Sequence, residues 1–259
     1  MDLPRLFIPS YGRANLIRNL TLRFLATAGY PKSKIYIMVA SESEKEEYLK
    51  TCGDYCIIVG VKGLNEQRGF ISQFADEGEF IVQMDDDVAG IKMMNNTRSF
   101  LDLIRDAVNQ MVRANAGLYG VLPNDDARRF SDKTTSHLTH ILGSFFICKN
   151  NRSLDTLLSH KEDYERSILY FLADGKVLRY RGAGVSTLYN KNIPGGLSDP
   201  NRKQQMEKDV DYLVRTYPEM LRRKDKKGFP DIELNWRYKK NQQATPKIES
   251  PTQPNLSTT

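Results

Sequence analysis

The stretch from Phe80 to Ile91, FIVQMDDDVAGI, limits the possible folds more tightly than any other in this chain. An apolar run, Phe80 to Met84, stops abruptly at three carboxylates, Asp85, Asp86 and Asp87. Such a run predicts a fully buried strand of a mostly parallel sheet. The acids then fall at or just past its carboxyl end, where open α/β sheets bind ligands. Adjacent carboxylates repel one another, and burying them without counter-charge is costly. A divalent cation removes that conflict. Hard oxygen ligands suit magnesium or manganese, with water and substrate phosphates completing the shell. Two readings stand: a metal-diphosphate site, or a solvated acidic turn after a strand.

The residues before this run alternate between strand and helix patterns. Strands are expected at Arg5 to Pro9, Ile35 to Ala40 and Cys56 to Gly60, and helices at Ala14 to Ala28, Ser41 to Thr51 and Gly63 to Glu77. Three strand-helix units delivering a fourth strand predict a doubly wound sheet with right-handed crossovers. No GxGxxG follows the first strand, so the ordinary dinucleotide fingerprint is absent. Its turn instead offers Ser10, Tyr11 and Arg13, suited to a nucleotide's ribose, base and phosphate.

The second half is less regular. A helix is expected at Phe100 to Asn115, strands at Leu118 to Leu122 and Thr139 to Lys149, and a polar acceptor-side loop between those strands. Further helices are expected at Glu162 to Ala173 and Asn201 to Tyr217, and strands at Lys176 to Tyr180 and Ile232 to Tyr238. The segment Tyr189 to Arg202 contains Pro194-Gly195-Gly196 and has the composition of a lid. Beyond about Lys240 the chain lacks aromatics, and 240–259 is expected to be disordered. Glu162-Asp163 opens its helix. The acids either complement the helix dipole or supply a general base for attack by a hydroxyl on a sugar carbon.

With 259 residues and 40% hydrophobic content, the chain suits one large domain or two small ones. The net charge of +6 leans mildly toward polyanionic partners. No apolar run has membrane-spanning length and no signal peptide is evident; three cysteines without a CxxC pair fit reduced thiols in a cytoplasmic setting. A strand reading of Leu138 to Ile147 sends His137 and His140 to opposite faces, which argues against a joint metal role. Trp236 is expected to anchor the last strand. The basic run Arg222, Arg223, Lys224, Lys226 and Lys227 is either a solvated surface or a set of DNA phosphate contacts.

Taken in order, IPSYGR, GLNEQRGFI, IVQMDDDV, KEDYE and PGGL resemble GT-A glycosyltransferases, and more narrowly the TET/JBP-associated glycosyltransferases of phages and kinetoplastids. The resemblance covers about Leu3 to Arg202. It implies a GT-A-like single α/β domain over 1–239, a mixed, mainly parallel sheet flanked by helices. Residues 1–98 would be its nucleotide-sugar-binding half and 99–239 its acceptor half. It further implies a metal-dependent inverting transfer of a hexose from a UDP-sugar to a hydroxyl, with Mn2+ or Mg2+. The preferred acceptor is 5-hydroxymethylpyrimidine in phage or viral DNA. A protein or glycan acceptor, or a non-catalytic nucleic-acid-binding module, is the alternative.

By the same resemblance Pro9, Ser10, Tyr11 and Arg13 line the nucleotide pocket, and Asn65 and Arg68 approach nucleotide and sugar. Asp85 contacts ribose or sugar and shares the metal with Asp87, and Asp86 belongs to the nucleotide-sugar set. Asp163 is the base, with Glu162 beside it, and Gly195 and Gly196 let a loop close over the diphosphate. Many GT-A enzymes carry a metal-binding histidine near the C-terminal end; here the last histidine is His160, so that ligand is expected to be missing or replaced.

Overall fold

The computed structural model describes residues 2–94, 98–188 and 201–239. Its first half realises the alternation expected from the sequence. Strands β1 (Arg5–Pro9), β2 (Ile35–Val39), β3 (Cys56–Val59) and β4 (Phe80–Met84) form a parallel block in the order β3-β2-β1-β4. Between them run helices α1 (Ala14–Asn19), α2 (Thr21–Thr27), α3 (Glu42–Cys52) and α4 (Leu64–Phe74).

Two helices depart from expectation. The single helix over Ala14 to Ala28 is broken at Leu20, whose ψ of −83° leaves the helical range. Thr21, just after the break, donates from its hydroxyl to the carbonyls of Asp85 and Val88 at 3.2 and 3.1 Å. The break thus ties α2 to the acidic turn. Helix α4 begins only after Gly63, at φ +105°, and stops at Ala75 rather than Glu77. Asn150 closes its carboxyl end, donating to the carbonyls of Ser72, Ala75 and Asp76.

The second half contributes β5 (Val88–Met93), α5 (Phe100–Ala114), β6 (Leu118–Leu122), β7 (Thr134–Thr135), β8 (Phe145–Lys149), α6 (Glu162–Asp174), β9 (Leu178–Thr187), α7 (Arg202–Thr216) and the hairpin β10 (Leu221–Arg223) with β11 (Ile232–Leu234). Strand β8 runs antiparallel between β4 and β6. Strand β9 runs parallel to β6, jumps register after Val121, and then pairs antiparallel with β5. The main sheet is therefore mixed, ordered β3-β2-β1-β4-β8-β6-β9-β5, with β7 beside β9. Strand β5 was not foreseen, and β9 is twice as long as expected. The expected strand from Thr139 shrinks to β8, because Ile141 donates its N–H to Ser167 Oγ on α6 and holds residues 139–143 as a loop.

Helix α5 opens with a capping box, Ser99 and Asp102, and buries Leu103, Ile104, Ala107, Val108 and Met111 at helical spacing. It covers one sheet face together with α1, α2 and α3; α4, α6 and α7 cover the other. Trp236 is 58% exposed and so does not anchor the last strand. Among the described residues no helix is long and apolar enough to cross a membrane. The expected lid, with Gly195 and Gly196, and the expected disordered tail lie outside the described residues.

Gly120 shows how closely the sheet meets the loop before β8. A Cβ there would lie 2.5 Å from Ile141 Cγ2. Gly120→Ala should therefore cost about 1–3 kcal/mol by overpacking, read as a lowered urea midpoint; an unchanged midpoint would contradict this packing.

Candidate active site

Strand direction brings the chemistry to one rim. β1, β4, β6 and the far end of β9 finish there, and antiparallel β8 starts there. The acids after β4 sit on this rim, fixed from both sides: Asp85 donates its N–H to Ser144 O at 3.0 Å, and Leu188 donates to Asp87 O at 3.3 Å.

The three carboxylates face three environments. Asp86 is buried and accepts from Ser10 Oγ at 2.6 Å and from Arg13 Nη1 at 3.0 Å. Burial still pushes its carboxyl up, against those two partners. Ser10 also meets Tyr48 Oη at 2.7 Å, and Tyr48 Oη accepts from Arg13 N–H. Asp86 is thus the clamp that shapes the β1 turn. Glu44 on α3 finishes that shape by accepting from Gly12 and Ala40 N–H. Asp85, partly exposed, accepts from Arg68 Nη2 at 3.0 Å. Asp87 forms no ion pair with a described residue; burial and its neighbours Asp85 and Asp86 push it up to about 6.

Arg68, buried on α4, links the acidic turn to the second pair. Besides Asp85 it donates to Gly143 O at 3.0 Å and approaches Glu162 Oε1 at 3.4 Å. Its guanidinium carbon lies 5.3 Å from the centre of the Phe146 ring, and that of buried Arg166 lies 3.9 Å from it. Burial and the like charge of Arg68 bring Arg166 down to about 10. Glu162 is pushed up by burial and by Asp163. For Asp163 burial acts upward too, but the attraction and hydrogen bond of His140 outweigh it and hold the carboxyl well below the usual range.

His140 is the site residue that the sequence reading missed. Its Nε2 is 2.8 Å from Asp163 Oδ2, and its ring stacks flat on Tyr164. Taking Leu138 to Ile147 for a strand hid it; the Gly143-Ser144 pair was the available signal that the chain turns there. His137 lies elsewhere, edge-on to Trp236.

Five carboxylates (Asp85, Asp86, Asp87, Glu162 and Asp163) thus share three guanidinium groups (Arg13, Arg68 and Arg166), leaving His140 aside. The carboxylates outnumber the guanidinium groups, an arrangement compatible with a divalent cation. No group of three or more His, Cys, Asp or Glu among the described residues forms a metal cage. Asp87, with Asp85 beside it, is the pair that could hold a hard divalent cation such as magnesium or manganese.

Residues 5–115 match the family model of the TET-associated glycosyltransferases. The fold is GT-A, and its first half is similar to the TET-associated glycosyltransferases. The matched stretch carries Ser10, Arg13, Arg68 and the acidic turn; Glu162, Asp163 and His140 lie beyond it. Among solved structures, glucosyl-3-phosphoglycerate synthase from Mycobacterium tuberculosis, crystallised with Mn2+, UDP and glucosyl-3-phosphoglycerate, superposes with a TM-score of 0.50 at 11% identity, over 88% of this chain and 85% of that one. That likeness is one of fold. GalNAc-T7 with UDP, GalNAc and Mn2+ gives 0.49 at 14% identity over 84% of this chain. This chain spans about half, 51%, of the GalNAc-T7 chain. No curated protein matches by sequence.

The other residues expected at the site lie around this rim or away from it. Pro9 ends β1, and Tyr11 is 41% exposed at the mouth, with Lys62 Nζ 5.4 Å from its ring centre. Asn65 donates to Thr156 O at 2.9 Å and accepts from Thr156 Oγ1 at 2.5 Å, stapling α4 to the loop before α6. The basic run is largely neutralised, since Arg222 and Lys224 pair with Glu233 while Arg223 pairs with Glu207, Asp211 and Asp225.

The raised carboxyl of Asp87 makes the metal-free protein pH-sensitive. Its folded value, about 6, lies above the ordinary 3.8, so its ionisation costs stability as pH rises from about 4 to 6 and that loss persists above. Asp87→Asn should then raise the metal-free melting temperature at pH 7.5 by roughly 2–4 °C, the shift that about 1 kcal/mol produces in a domain of this size. The same change should abolish stabilisation by Mn2+. A lower metal-free melting temperature with Mn2+ stabilisation intact would contradict this account.

Proposed function

We propose that the chain is a metal-dependent inverting glycosyltransferase that moves a hexose from a UDP-sugar to a hydroxyl. The observation that carries this reading is the cluster of carboxylates at the carboxyl rim of a GT-A sheet, joined through buried Arg68 to a second acid pair. Asp87 and Asp85 would hold Mn2+ or Mg2+. That ion, when bound, neutralises the charge developing on the departing diphosphate.

The chain's own residues do the rest. Tyr11 presents an exposed ring for the nucleobase, and Arg13, fixed by Asp86, stands beside it for ribose or phosphate. Arg68 orients Asp85 toward the sugar and balances Glu162. Asp163 and the His140 bound to it form the pair assigned to proton removal on the acceptor side. A single displacement aided by one base inverts the anomeric centre. Gly195 and Gly196 are assigned to closure over the diphosphate.

The preferred acceptor is 5-hydroxymethylpyrimidine in phage or viral DNA. Besides the family description, support comes from a groove of about 1140 Å³ lined by His137, Phe171, Trp236, Arg237, Tyr238 and Lys239. His137 belongs to the same loop as His140. Exposed Trp236, with Arg237 4.8 Å from its ring centre, offers the stacking face and cation that single-stranded nucleic acid favours. An acceptor base inside a duplex must be flipped out at a cost of a few kcal/mol. The neutralised run from Arg222 to Lys224 favours the competing reading, a protein or glycan acceptor.

A thermal-shift panel of nucleoside diphosphate sugars tests the donor: UDP-sugars should raise the melting temperature only with Mn2+. Asp163→Asn should keep that shift while lowering transfer about 10²–10⁴-fold; full turnover would remove Asp163 from the chemistry. DNA binding that weakens steeply between 50 and 200 mM salt would favour the DNA acceptor, and the absence of binding would favour the competitor.

A further inference from the structure

His140 is held more closely than a bystander needs to be. Nε2 meets Asp163 Oδ2 at 2.8 Å, and the ring lies on Tyr164 with centres 3.9 Å apart and planes 1° from parallel. Together these contacts fix both the position and the rotation of the imidazole. Asp163 is occupied on both oxygens. Oδ2 also faces Gly143 N–H at 3.4 Å, and Oδ1 accepts from Tyr164 N–H at 2.9 Å. A carboxylate with both oxygens so engaged is a weak base. An imidazole whose Nε2–H points at a carboxylate carries its lone pair on Nδ1. No hydrogen bond ties His140 Nδ1 to another described residue, and the His140 side chain is the more open of the two, 22% against 15% for Asp163.

We propose that His140, through Nδ1, takes the acceptor's proton, and that Asp163 is the residue that positions it. The inference rests on the glycosyltransferase reading above. The acceptor O–H bond breaks and its proton passes to Nδ1. The acceptor oxygen bonds to the anomeric carbon as the bond from that carbon to the diphosphate oxygen breaks, its electron pair leaving with the diphosphate. The imidazolium formed is stabilised by Asp163 and returns its proton to solvent after product leaves. The charged and titratable groups around this pair are Asp163, Glu162, Tyr164 and Arg166 from α6, Arg68 from α4, and Arg179 from β9, whose Nη1 reaches the His140 carbonyl at 3.5 Å.

His140→Gln separates the two roles, because glutamine keeps an N–H donor for Asp163 yet accepts no proton. In the full-length chain, with the UDP-sugar that gives the largest Mn2+-dependent thermal shift, UDP release by His140→Gln should fall roughly 10²-fold or more in kcat with donor KM unchanged. The acidic limb of the wild-type pH profile should vanish with it. Nitrogen-15 NMR gives a readout free of activity, since the chain has only three histidines. The neutral ring of His140 should carry its proton on Nε2 in the wild type and lose that preference in Asp163→Asn. A neutral ring protonated on Nδ1, or a His140→Gln rate within about threefold of wild type, overturns the proposal. The absence of any Mn2+-dependent shift with UDP-sugars would instead sink the glycosyltransferase reading itself.

Discussion

The site depends on Arg68. One buried guanidinium meets Asp85 of the acidic turn, Glu162 of the helix opposite and the carbonyl of Gly143, while its flat face rests near Phe146. Without that charge, the two acid groups would face each other across a low-dielectric gap, where repulsion between carboxylates is strong. Arg166 shares Phe146 and adds a second positive charge behind the first. The arginines supply too little charge to settle all five carboxylates. Burial first, and then the neighbouring carboxylates, raise Asp86, Asp87 and Glu162.

The shortage separates a binding site from a structural ion-pair network. A network built for stability balances its charges, as the β10-β11 hairpin does, where every member of the Arg222 to Lys224 run has an acidic partner. The rim does not balance. Its unmatched carboxylate, Asp87, lies beside acids already committed to Arg68 and Arg13, so an incoming cation finds a donor that costs no existing ion pair.

The first half of the fold was legible because its strands and helices alternate locally, and each element shows its own period before any long-range contact forms. The acidic turn was legible for the same reason: a buried strand cannot end in three acids without consequence. What escaped notice depends on distant partners. Strand β5 exists because Val88–Met93 pairs with Ala183–Thr187 of β9, almost a hundred residues on. The break at Leu20 follows from Thr21 reaching the carbonyls of Asp85 and Val88. His140 was lost because an apolar run including Ile141, Phe145 and Phe146 looks like one strand, although Ser167 on α6 takes the N–H of Ile141 and breaks it. The Asn65 contact with Thr156, ninety-one residues on, was likewise invisible to local pattern.

Strand β8 gives the molecule an economical geometry. Running against β4, it begins where β4 ends, so the loop bearing His140 and the turn bearing the acids emerge side by side, joined by the bond from Asp85 to Ser144. The two clusters are thereby anchored to adjacent rungs of a single ladder, and their spacing is inherited from backbone pairing. On the proposed reading, substitutions in the surrounding loops would change which acceptor enters while leaving the two clusters in register.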